Sequence, residues 1–70
     1  MMPLTFSGVG ETNIIKKITG NSEIKMHLEN LGFVPGGNVS IISENNGNII
    51  VNVKETRVAI SEEMGRRILV

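Results

Sequence analysis

Two rhythms of apolar residues run along this chain. Ile24, Leu28 and Leu31 recur at i, i+4 and i+7, one face of a helix, with Lys25, Glu29 and Asn30 largely off the stripe. Val39-Ser40-Ile41 and Val51-Asn52-Val53 alternate instead, as half-buried strands do. The helix is punctuated at both ends. Asn21 or Ser22 caps its start, with Glu23 placed favourably in the first turn. After Leu31 comes Gly32, a residue free to turn left-handed; Phe33 and Leu28 then hold the positions whose apolar contact accompanies a Schellman stop. Pro35-Gly36 fits the centre of a type II turn beginning at Val34. A helix of about ten residues is too short to persist alone, so its stripe must dock on something.

The same pattern places the remaining elements. Residues 1–10 read as an extended lead-in anchored by Leu4 and Phe6, with Gly8-Val9-Gly10 a turn. That triplet lacks the third glycine and the βαβ setting of a dinucleotide site. Thr12–Thr19 is β-branched and reads as one strand, but Ile15 and Ile18 break its alternation, so a bulge shifts the face or both faces are partly covered. Asn38–Glu44 and Asn48–Lys54 form a hairpin around Asn45-Asn46-Gly47. A two-residue Asn46-Gly47 loop pairs Glu44 with Ile49 and sets Val39 and Ile41 against Asn52 and Lys54. A three-residue loop with Gly47 in a bulge gathers Val39, Ile41, Val51 and Val53 on one face, and burial favours this second register. Lys54-Glu55 reverses the chain again into a strand over Thr56–Ile60. Ser61 caps a short helix with Glu62 and Glu63 first and Arg66-Arg67 last, and Ile68-Leu69-Val70 closes as a strand. Gly65 inside that helix costs about 1 kcal/mol against alanine, which points to close packing. The sum is mainly β: about five short antiparallel strands and two short helices in a small, partly open barrel.

Composition narrows the functions. Seventy residues make one domain, 1–70, which buries only about 60% of its unfolded surface. Without cysteine, neither disulfides nor thiolate ligands reinforce it. Seven basic residues match seven acidic ones, and Tyr and Trp are absent, which argues against a nucleic-acid partner. The start has no signal-peptide pattern and no apolar run reaches membrane-spanning length, so the expected location is cytoplasmic, without membrane insertion. A lone histidine, His27, with Glu23 and Glu29 near in sequence falls short of a metal site. Met26 and Met64 read as core gap-fillers. Lys16-Lys17 and Arg66-Arg67 point to alternate sides and make no phosphate cradle. No nucleophile–base pair is present, so neither an enzyme nor a cofactor is expected, and the residues by themselves lead to an interaction module.

A wider pattern runs from Leu4 and Gly10 through Ile15-Lys16-Lys17-Ile18-Thr19-Gly20. It continues through Leu28-x-x-Leu31-Gly32-Phe33-Val34-Pro35-Gly36 and Val39 to Arg57-Val58-Ala59-Ile60, Glu63 and Ile68-Leu69-Val70. In this pattern the chain resembles the FeoA family of bacterial ferrous-iron uptake, departing from it at Gly65, where alanine is usual. The resemblance implies an SH3-like barrel with an inserted helix. It also implies a non-enzymatic accessory protein that meets the cytoplasmic side of FeoB, the membrane iron transporter with a GTPase domain. The expected contact surface is the exposed side of the first helix and its exit turn: Lys25, His27, Asn30, Phe33, Val34 and Pro35, with core packing the competing reading for Phe33 and Val34. Self-association is left open. The alternative is a regulatory domain akin to the C-terminal domain of iron-dependent repressors of the diphtheria-toxin-repressor type.

Overall fold

Dihedral chemistry sets the joints of the fold. The computed structural model, which describes residues 1–70, orders the chain as a 3₁₀ turn (Leu4–Phe6), β1 (Thr12–Ile14), β2 (Lys17–Ile18), α1 (Ser22–Leu31), β3 (Asn38–Asn45), β4 (Asn48–Val53), β5 (Thr56–Ser61), α2 (Glu62–Gly65) and β6 (Ile68–Leu69). Four strands pair antiparallel in the order β1-β3-β4-β5, and β2 pairs with β6 in a second, smaller sheet. Backbone bonds between Met2 and Val70 tie the start of the chain to the far side of β6. This is the small, mainly β barrel with two helices that the alternation and punctuation predict.

The strand predicted over 12–19 is two strands in two sheets. At Ile15 the chain leaves β1: its N–H donates to the Gly37 carbonyl at 2.8 Å and its own carbonyl accepts from Gly36 at 2.7 Å. One residue later the Lys16 N–H donates to Leu69, in the other sheet. The lost alternation therefore marks a change of partner rather than a bulge, and both Ile15 and Ile18 end up buried.

The hairpin corrects the predicted register in an instructive way. Its loop is the two-residue one: Asn46 and Gly47 both have positive φ, 46° and 83°, and Asn45 pairs with Asn48. Yet Val39 faces Val53 and Ile41 faces Val51, the burial expected of the three-residue loop. The register shifts between Ile41 and Ser43, so Ile42 is the extra residue. Asn-Gly turn chemistry decides the tip, burial decides the middle, and one bulge reconciles them. Deleting Ile42 should therefore leave a folded chain with a regular ladder, in which Ile41 still opposes Val51. Amide NMR cross-strand contacts between those two residues are the check; their loss would mean the bulge is required for the register. The next reversal puts Lys54 and Glu55 at φ of 49° and 62°, left-handed without glycine.

Thirteen buried residues make one hydrophobic cluster, with contributions from the 3₁₀ turn, α1, its exit and all the strands except β1. Leu4 is fully buried, whereas Phe6, predicted as a second anchor, is 73% exposed because the 3₁₀ turn directs it outward. Met64 packs against the cluster as expected, but Met26 lies on the solvent face of α1, 62% exposed. A Cβ at Gly65 would sit 2.8 Å from Ile49 Cδ1 and 3.0 Å from Thr5 Cγ2, the close packing its cost implied. Helix α2 ends at Gly65, so Arg66 follows it as the C-cap and reaches back to Glu62.

Candidate interaction surface

Helix α1 is held from both ends by its own residues. The Asn21 side chain accepts a hydrogen bond from the Ile24 N–H at 2.9 Å, and Gly32 takes φ +109°. The Gly32 N–H then donates to Glu29 and the Phe33 N–H to Leu28, the paired bonds of a Schellman motif. Behind it, Gly37 donates to Val34 at 3.0 Å with Gly36 at φ +89°, closing the type II turn. The Pro-Gly turn is thus fixed by its own closure and by the two bonds to Ile15. Ridge and turn form one rigid edge of the molecule.

The six residues expected at the contact surface divide on burial. Lys25, His27, Asn30 and Pro35 are exposed, and Val34 is half-buried. Phe33 is fully buried in the core, which corrects its assignment to the surface: the left-handed Gly32 turns the chain inward and Phe33 follows. His27 makes no side-chain hydrogen bond or ion pair, and no three His, Asp or Glu side chains group closely enough to hold a metal ion.

Beside α1 lies a groove of about 320 Å³ lined by Lys16, Lys17, Ile18, Lys25, Glu29 and Pro35. Adjacent lysines on a strand should point to opposite sides, but Lys16 lies at the crossing between sheets, and both line this one groove. The broken alternation at Ile15 and Ile18 was the signal that could have revealed this. Every lysine here lacks a carboxylate partner, because the chain's one ion pair is Arg66 with Glu62 at 3.4 Å. Two further concavities, one beside the β3–β4 tip with Glu44 and Glu62, one beside Asn38, Asn52 and Lys54, are polar surface depressions. Neither brings a nucleophile to a base. What the surface offers is charge and shape.

The family model for the FeoA domain matches residues 2–70. The chain belongs to the FeoA domain family. A Methanocaldococcus jannaschii protein with the provisional name Fe(2+) transport protein A is 31% identical over 70 residues, covering all of this chain and 85% of the relative. Among solved structures, a crystal structure of the iron uptake regulatory protein FeoA superposes with a TM-score of 0.87 at 27% identity, over 94% of this chain and 89% of that one. The zinc-complexed FeoA of Stenotrophomonas maltophilia, described as an SH3 domain protein, gives 0.87 at 24% identity, over 100% and 89%. The FeoA-type barrel also recurs in a manganese-dependent transcriptional repressor, with a TM-score of 0.85 at 14% identity, over 94% of this chain and 38% of the repressor. No helix of the FeoA-family chain is long and apolar enough to cross a membrane.

Proposed function

We propose that this FeoA-family chain is a non-enzymatic accessory protein of ferrous iron uptake, working by contact with the cytoplasmic side of a FeoB-type GTPase-transporter. The family match over residues 2–70 carries the reading, together with the Fe(2+) transport name of the 31% identical relative. The exposed ridge of α1 and its exit turn supplies the contact, through Lys25, His27, Asn30, Val34 and Pro35. Capped at both ends and braced by the Gly36–Ile15 bond, that ridge meets a partner with little ordering cost. The aromatic-lined groove by which SH3 domains take proline-rich ligands has no counterpart in a chain with two Phe, one of them in the core.

Titrating the isotope-labelled protein with the soluble cytoplasmic domain of FeoB tests this directly. Saturable amide shifts centred on Lys25, His27, Asn30 and Gly36 are expected. An absence of shifts at high micromolar partner would count heavily against the proposal.

The likeness to the manganese-dependent repressor motivates a second reading, a regulatory domain related to the C-terminal barrel of metal-dependent repressors. At 14% identity that likeness concerns the fold alone. Equilibrium dialysis that shows no retained ferrous ion would remove it.

A further inference from the structure

We infer that the groove between the β1–β2 crossing and α1 receives a carboxylate-rich, extended segment of the partner protein. The inference deepens the protein-contact reading and rests on it. Three of the chain's seven cations, Lys16, Lys17 and Lys25, converge on one concavity that contains a single carboxylate, Glu29. None of the three makes an ion pair, and Glu29 can offset at most one of them. A neutral protein has thus concentrated its positive charge where like charges repel one another, an arrangement that an anionic occupant relieves. Glu44 and Glu62, by contrast, line the separate depression at the β3–β4 tip, and Glu62 is paired with Arg66.

The chemistry of the groove selects among anions. Lysines are compact point charges without arginine's planar fork, and three of them spread along one groove match several separated charges, as on an acidic peptide, better than one compact anion. Ile18 and Pro35 add apolar wall, which gives the stem of a glutamate side chain something to lie against. Anionic lipid surfaces are read by clusters of about 4–8 basic residues, more than this groove supplies. Single-stranded nucleic acid is held by stacking aromatics, of which the groove contains none, and a duplex by more phosphate contacts than three lysines supply.

The test is an NMR titration of the folded protein at low salt with a capped, glutamate-rich octapeptide. A glutamine-matched peptide and vesicles containing anionic phospholipid form the parallel arms. Localised shifts at Lys16, Lys17, Ile18, Lys25 and Glu29 are expected with the acidic peptide, weakening as salt screens the charges. The double variant Lys16→Glu/Lys25→Glu should lose roughly tenfold or more in affinity. Arg57→Glu, on the exposed part of β5, should change it by less than about twofold. Equal binding of the glutamine peptide, shifts away from the groove, or binding to vesicles alone would overturn the inference. The FeoB titration separates the two claims. FeoB binding without acidic-peptide binding defeats only the groove; acidic-peptide binding without FeoB binding leaves the groove and defeats that partner.

Discussion

Phe33→Ala should cost about 3–5 kcal/mol of stability. A domain of this length has roughly 4–10 kcal/mol in total, so the variant is expected to be largely unfolded on mild heating or in low urea. Phe33 is the largest fully buried side chain, and it is also the residue that follows the left-handed Gly32. Truncation opens a cavity beneath α1 and removes the apolar partner of the helix stop, so packing and helix termination suffer together. Urea denaturation followed by circular dichroism measures the loss. Phe33→Leu, which keeps most of the volume, should retain the fold. A Phe33→Ala protein of unchanged stability that had lost only partner binding would return Phe33 to the contact surface.

The second large effect separates two residues that look equivalent in sequence. Leu4→Ala should destabilise by about 2–5 kcal/mol, whereas Phe6→Ser should stay within about 0.5 kcal/mol of the parent. Leu4 is fully buried and belongs to the single core cluster, while Phe6 sits at the outward end of the same short 3₁₀ turn. The tie between Met2 and Val70 depends on that turn staying docked, so Leu4→Ala should also speed hydrogen exchange at the Val70 amide. Comparable losses from both substitutions would mean that Phe6 packs in solution.

These two cases show where the reading from residues held and where it did not. A cap at Asn21 or Ser22, of which the structure uses Asn21, Gly32 as the stop and Gly36 at positive φ were legible because each depends on the dihedral freedom or hydrogen-bonding reach of a residue and its immediate neighbours. Ser61 before α2 is of the same kind. The sides taken by Leu4 and Phe6 were not legible, since an apolar residue near a chain end is compatible with either side until something packs on it. The candidate site follows the same division. The exposed ridge of α1 could be read from the helical period, but Phe33 was assigned to it because the direction of the chain after Gly32 depends on the core below.

By itself, then, the amino-acid sequence determined the joints of this protein: where α1 starts and stops, which turns reverse the chain, and that apolar strands must close on a shared core. Only the tertiary structure decided that β1 and β2 belong to different sheets, that Ile42 absorbs the conflict between turn and burial, and that Lys16, Lys17 and Lys25 share one groove. The reason is range. A turn is decided by torsional preferences within a few residues. Sheet membership and the grouping of charges depend on hydrogen bonds such as Lys16 to Leu69, made between positions far apart in the chain.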